Sequence, residues 1–248
     1  AGRPPRLPDD MPAIARALAS LHVLSAEPAA NPIQATIRVI ERQAPCFARA
    51  GLARETLAHL DAELEWVRTL PTTPEPPVAL VGTDTHPGNF LIDDRGKAWF
   101  VDLEKATDGL PAIDLAHASL YTSTTWDVSC HAVLGTADIA AAYRLWLDVV
   151  EPSLADSCRP WLLPLRRVMW LWSVTWCAKW RVESRAAAKD AKDRAESAED
   201  WSADLSDAAL VDHVAGRVAD YLDPVTIAAV RSEWLTANPL TDLLPLPG

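Results

Sequence analysis

Val81-Gly82-Thr83-Asp84-Thr85-His86-Pro87-Gly88-Asn89-Phe90, followed by Phe100-Val101-Asp102-Leu103-Glu104, is the most informative sequence in the chain. The apolar run Val78-Ala79-Leu80-Val81 suits a short buried strand, so Asp84 falls on a loop just past a strand end. Asn89-Phe90-Leu91-Ile92 and Ala98-Trp99-Phe100-Val101 flank Asp93-Asp94-Arg95-Gly96, a turn signal, and together predict a β-hairpin. Asn89 then stands at the entry to that hairpin and Asp102 at its exit. A loop and a hairpin end can in this way bring two carboxylates and one amide oxygen together. Such hard oxygen donors suit Mg²⁺, which takes few protein ligands and leaves its other positions to water and phosphate.

On either side of this segment the periodicity is helical. Upstream, Met11–Val23 carries Ile14, Leu18, Leu21 and Val23, with Asp9 and Asp10 as cap candidates. Ile33–Arg42 is a shorter amphipathic stretch, and Glu55–Leu70 repeats Leu57, Leu60, Leu64 and Val67 before a proline cluster over Pro71–Pro77. Downstream, helices are predicted over Ala112–Tyr121, Ala137–Val150, about Trp161 to Glu199, Ala208–Leu222 and Pro224–Leu235. The expected fold is mainly α with a small β-hairpin region (α+β), built on three short strands. Along the chain it divides into helices over 8–70, the loop and hairpin over 78–104 and a helical part over 111–236, with 237–248 as a tail. Trp172, Trp176 and Trp180 form a stripe, read as core packing or as the wall of a ligand cleft. The charged stretch Arg185–Asp200 reads as a solvent-facing helix. The basic run Arg166, Arg167, Lys179, Arg181 and Arg185 meets either an acidic ligand or the surplus carboxylates.

At 248 residues the chain is near the upper size for one hydrophobic core, and 49% apolar against 23% charged residues is a globular balance. Its net charge of -11, from 23 basic and 34 acidic residues, argues against a nucleic-acid partner, which needs a basic stripe. The same charge fits a cationic small molecule, for which Asp127, Asp138 and Glu183 are candidate contacts and solvated surface carboxylates the plainer reading. Cys46, Cys130, Cys158 and Cys177 have no CxxC spacing and read as unpaired buried thiols of a reducing, cytoplasmic compartment. Pro160–Trp180 comes closest to a membrane span but is broken by Arg166, Arg167 and Lys179, so no membrane partner is expected.

The D-x4-N spacing of Asp84 and Asn89, joined to a hairpin that ends in Asp102, matches the arrangement phosphoryl transfer requires. Asp108-Gly109-Leu110-Pro111-Ala112-Ile113-Asp114-Leu115-Ala116 follows. Together these segments resemble the C-terminal lobe of the aminoglycoside phosphotransferase and choline kinase-like family, a branch of the protein-kinase-like fold. In that family the loop usually reads H-G-D-x-H-x-x-N, the hairpin ends in I-D-x-E and G-x-P-x-x-D-L-A follows. Asp84, His86, Pro87, Gly88, Asn89, Asp102, Glu104, Gly109, Pro111, Asp114, Leu115 and Ala116 match. The helix ending Ala19-Ser20-Leu21-His22 resembles the family's helix after the hinge. The resemblance implies that Asp84 is the catalytic base, that Asn89 and Asp102 bind Mg²⁺ and that Asp114 braces the catalytic loop. His86 and Glu104 support the site, His86 by packing or positioning the loop and Glu104 by binding a second cation or pairing with a base such as Lys105. His117 reads as a packing histidine.

Two departures stand out. Gly82-Thr83 replaces the usual His-Gly, and residues 1–7 hold no Gly-rich loop or strand lysine, so the first lobe is expected to lie outside this chain. The function this implies is an ATP- and Mg²⁺-dependent kinase acting on a hydroxyl of an aminoglycoside-like sugar or amino alcohol, a small and cationic substrate. The alternative is a pseudokinase-like binding or scaffolding module without turnover.

Overall fold

The computed structural model describes residues 2–24, 32–71, 75–189 and 208–244. In chain order the elements are α1 (Met11–His22), α2 (Pro32–Gln43), α3 (Arg54–Val67), β1 (Ala79–Val81), β2 (Phe90–Ile92), β3 (Ala98–Phe100) and β4 (Thr107–Gly109). They continue with α4 (Pro111–Ser119), α5 (Tyr121–Thr124), α6 (Thr136–Val149), α7 (Pro152–Lys189), α8 (Ala208–Tyr221), α9 (Pro224–Leu235) and α10 (Pro239–Leu243). Two compact units result, one from residues 1–37, 69–170 and 230–248, the other from 38–68 and 171–229.

Among the described residues, the first unit holds all four strands. The predicted hairpin is present as the antiparallel pair β2–β3, with Phe90 opposite Phe100 and Ile92 opposite Ala98. Its turn is closed by Asp93, whose Oδ1 accepts the N–H groups of Arg95 and Lys97 at 2.9 and 3.0 Å. β1 does not stand alone, which corrects the expectation of three strands: it pairs antiparallel with β4, Val81 opposite Thr107 and Ala79 opposite Gly109. Thr107-Asp108-Gly109 carries no apolar alternation, so only its partner selects it as a strand. A Cβ on Gly109 would lie 2.5 Å from Val81 Cγ2, so glycine is what lets the two strands close.

Around these ribbons α1 buries Met11, Ile14, Ala15, Leu18, Ala19 and His22, packing against α6 and β3. Asp10 occupies the N-cap position of α1 without capping it. Its carboxylate instead holds the Arg3 guanidinium at 2.6 Å and accepts the Arg6 N–H at 2.6 Å. Within the segment read as a tail, Asn238 caps α10 by accepting the N–H of Leu240 at 2.8 Å, and Leu240 is fully buried. α7 begins nine residues ahead of the predicted start and runs through Pro160 and Pro164. Each proline removes a helix bond, but Trp161, Leu162, Leu163 and Leu165 are buried there, and that packing outweighs the local break.

Three of the five residues in the basic run donate hydrogen bonds within their own units. Arg166 is fully buried, donating to Glu233 at 2.7 Å and to Ser119 Oγ at 2.8 Å. In the second unit, Arg181 donates to the Val218 carbonyl at 3.0 Å and Arg185 to that of Ala50 at 2.9 Å. That unit is also tied by Thr175 Oγ1 donating to Gln43 Oε1 at 2.9 Å. Trp172, Trp176 and Trp180 are half-buried, while among the described residues Trp146, Trp161, Trp170 and Trp234 of the first unit are buried. Of the predicted charged helix, residues 190–200 lie outside the described residues. Among the described residues no helix is long and apolar enough to cross a membrane.

All four cysteines are free and buried, as their spacing implies. Burial pushes the Cys130 thiol up to about 11, and the Cys158 and Cys177 thiols up to about 12. Cys130, Cys158 and Cys177 should therefore resist a thiol-specific disulfide reagent at pH 8 in the native protein and react only after denaturant is added. Prompt reaction of any of them in the folded chain would contradict the packing described. Glu233→Ala leaves the Arg166 charge buried without its partner, and a loss of about 3–5 kcal/mol in urea unfolding is expected.

Candidate active site

The chain leaves β1 through a three-residue turn. Asp84 N–H donates to the Gly82 carbonyl at 2.8 Å, and Thr83 between them has φ +61°. A β-branched residue is disfavoured in that left-handed region, so the turn has to be held from outside. Asp114, fully buried in the first turn of α4, does this by accepting Gly82 N–H at 2.7 Å and Thr83 N–H at 3.0 Å. His22 Nε2 lies 3.1 Å from the same carboxylate, and its Nδ1 accepts the Trp146 indole N–H at 3.0 Å. An indole can only donate, which assigns the His22 proton to Nε2, facing Asp114. The brace thus runs from α6 through α1 and α4 to the loop. Next to it, Thr85 Oγ1 donates to the Asp114 carbonyl at 2.8 Å, and the Thr85 N–H meets His117 Nδ1 at 3.2 Å.

Gly82 stands where the resembling family has histidine, and a side chain there would displace its neighbours. A Cβ there would lie 2.4 Å from the Phe100 ring and 2.8 Å from Thr85 Cγ2. Phe100 occupies the space beneath the loop. Thr83, in the usual glycine position, donates its hydroxyl to the Lys105 carbonyl at 2.9 Å.

Past the turn, Asp84 faces Lys105, whose Nζ is 2.9 Å from Oδ2, while His86 Nε2 is 3.9 Å from Oδ1. Burial acts to raise the Asp84 pKa, but positive charge from His117, His86 and Lys105 and the Lys105 hydrogen bond bring it below the ordinary carboxylate value. Burial lowers the pKa of both His86 and His117, so at neutral pH the standing counter-charge is Lys105. His86 Nδ1 accepts the Gly88 N–H at 3.2 Å, leaving Nε2–H toward Asp84. A Cβ on Gly88 would lie 2.5 Å from Asp127 Oδ2, so this glycine lets Asp127 approach the loop.

Asn89 Nδ2 donates to the Asp84 carbonyl at 2.8 Å, which turns the opposite atom of the amide, Oδ1, away from the loop. The Asn89 carbonyl accepts the Val101 N–H at 2.9 Å, so Asn89 and Asp102 leave the same end of the hairpin. Asp102 is exposed with φ +63°, and its charge acts on both His86 and Lys105. Among the described residues, Thr83 and Asp102 are the non-glycine residues with positive φ, and they bracket the site. No group of three or more His, Cys, Asp or Glu side chains among those residues is arranged to hold a metal. The donors that fit Mg²⁺ are the free amide oxygen of Asn89 and the exposed Asp102 carboxylate, a sparse oxygen set of the kind that ion accepts.

Asp84, His86 and Asn89 therefore lie on one loop that Asp114 braces from α4, with Asp102 beside it; Glu104 is exposed and reaches Lys105 through its charge. Lys105 itself carries no motif signal, and it pairs with Asp84. The His22–Trp146 hydrogen bond spans 124 residues and has no local signature. Asp138 is occupied at the start of α6, accepting the Gly135 N–H at 3.1 Å, and Glu183 is exposed in the second unit.

Residues 1–147 match the model of the phosphotransferase enzyme family. No curated protein matches the chain. Among solved structures, the ethanolamine kinase of Plasmodium vivax is similar with a TM-score of 0.55 and 14% identity, over 94% of this chain and 64% of that one. A choline/ethanolamine kinase family protein from Mesorhizobium loti gives 0.51 and 17%, over 90% and 67%. At these identities the likeness is one of fold, mostly helical with few short strands, and the chain spans 64% of the length of the first.

Asp114→Ala removes the acceptor of two loop amides and of His22, leaving donors whose loss costs about 1–3 kcal/mol each. Hydrogen exchange at Gly82 and Thr83 should accelerate, while the β2–β3 amides keep their protection. Unchanged exchange at Gly82 and Thr83 would mean that something other than Asp114 holds the turn.

Proposed function

The chain belongs to the phosphotransferase enzyme family, and on that premise we propose that it carries the catalytic and acceptor-binding lobe of an ATP- and Mg²⁺-dependent small-molecule kinase. The observation that carries this reading is that Asp84 and Asn89 are fixed to each other by one hydrogen bond, with Asp102 leaving the same hairpin end. Mg²⁺, when bound, neutralises charge on the phosphates and holds them for in-line transfer. Asn89 Oδ1 and the Asp102 carboxylate are the groups that would hold it. Asp84 orients the acceptor: Lys105 occupies Oδ2, so the acceptor hydroxyl donates to Oδ1 and passes its proton there as its oxygen bonds to the terminal phosphorus of ATP and the bond from that phosphorus to the departing ADP oxygen breaks. With its pKa below the ordinary range, Asp84 is ionised and ready to accept that hydrogen bond at neutral pH.

The acceptor we infer is a small hydroxylated cation, an amino alcohol or an aminoglycoside-like sugar. The net charge of -11 favours it, and Asp127, brought against the loop at Gly88 and acting on His86, adds a second carboxylate beside Asp84. The buried, unpaired thiols accord with a cytoplasmic setting.

In the full-length protein, Asp84→Asn should lower kcat by about 10²–10⁴-fold while nucleotide affinity stays near parental. Asp102→Asn removes a metal ligand and should weaken Mg²⁺-nucleotide binding along with turnover, read by calorimetry. Parental activity in both variants would make the constellation structural, and a binding module without turnover would then be the better reading.

A further inference from the structure

Lys105 meets the catalytic loop twice, once at Thr83 and once at Asp84. Thr83 Oγ1 donates to the Lys105 carbonyl at 2.9 Å, and the Lys105 ammonium donates to Asp84 Oδ2 at 2.9 Å. The catalytic loop and the segment after β3 are thereby joined through main chain at one residue and through side chain at the next. Threonine is an unfavourable choice at φ +61°, where glycine would sit without steric conflict. What threonine adds over glycine is the hydroxyl, and the hydroxyl is spent on Lys105.

The carboxylate oxygens of Asp84 are made unequal by this contact. Oδ2 is taken by Lys105, and Oδ1 stays open beside His86 Nε2, whose 3.9 Å separation is too long for a direct hydrogen bond. Asp102 and Glu104 add negative charge around the same ammonium, which holds it inside the acidic cluster. The Lys105 side chain is 42% exposed, so its seat is set by these charges and by the anchored carbonyl rather than by packing.

We propose that Lys105 is the positioning residue of the Asp84 carboxylate, holding the rotamer that presents Oδ1 to the acceptor, and that the Thr83 hydroxyl keeps Lys105 in register. The inference rests on Asp84 being the acceptor-orienting group. Lys105 acts through Asp84 and makes no contact with the reacting atoms.

Lysine acetylation of the full-length protein with an N-hydroxysuccinimide ester, mapped by peptide mass spectrometry, tests the clasp without using turnover. Lys105 should react about fivefold or more slowly than Lys97, which is exposed on the hairpin. Asp84→Asn should bring the two rates together. Thr83→Ala should raise the Lys105 rate, and Thr83→Ser, which restores the hydroxyl, should bring it back down. In kinetics, Lys105→Gln should lower kcat by about 10–100-fold with nucleotide affinity little changed, and Lys105→Arg should recover most of the loss. Equal acetylation of Lys105 and Lys97 in the parent, or equal rates in Thr83→Ala and Thr83→Ser, would overturn the clasp. If Asp84→Asn abolishes turnover while Lys105→Gln and Thr83→Ala turn over like the parent, the clasp fails and the kinase reading stands. If Asp84→Asn itself turns over like the parent, the kinase reading fails.

Discussion

Asp114 carries its carboxyl group into a site with no exposure to water, and the arrangement around it is what makes that tolerable. Two backbone amides and one imidazole N–H converge on its carboxylate, at 2.7, 3.0 and 3.1 Å. A buried carboxylate without such donors would be strongly destabilising; with them it becomes a rigid junction. The loop in turn depends on that junction, because a turn with threonine at positive φ does not persist without support. Asp84 occupies its place because Gly82 and Thr83 are held, and Asn89 occupies its place because Asp84 is. The order of dependence runs from the helical core outward to the chemistry.

Strain is placed at both ends of this arrangement. Thr83 precedes the carboxylate read as the base, and Asp102 is itself the residue read as a metal ligand; both adopt left-handed backbone. Such conformations persist where surrounding contacts over-determine them, and that is the case on the Thr83 side. At Asp102 the hydrogen bond from Val101 to Asn89 fixes the residue before it, so the chain reverses only after the hairpin register is complete. The two features place oxygen donors with little conformational freedom at the open end of one hairpin.

Much of this was legible in the sequence because its signals are local. The turn Asp93–Gly96 between two apolar runs specifies the hairpin, and the spacing of Asp84 and Asn89 specifies an amide near a carboxylate. The features that escaped reading are those whose partner is distant. β4 exists because β1 needs a neighbour, and Thr107-Asp108-Gly109 shows nothing of it. The bond from Trp146 to His22 crosses most of the first unit's chain length, and the pairing of Lys105 with Asp84 follows from the path after β3, not from any motif. α7 starts ahead of its predicted beginning for the opposite reason: Pro160, just before Trp161, is a strong local signal, and tertiary burial overrides it.

The Phe100 ring under Gly82 ties two positions of the chain into one choice. With its ring carbons 2.4 and 2.6 Å from where a Cβ would be, a side chain at position 82 requires the phenylalanine ring at 100 to move out of its place. The reverse exchange, a small residue at 100 alone, would open a void beneath the loop and remove the stacking partner of Phe90, whose ring centroid is 5.0 Å away. Neither single step keeps the packing, whereas both together can. Substitution at these sites should therefore be paired across related chains: histidine at the first position should accompany a smaller residue at the second, and glycine a large aromatic one.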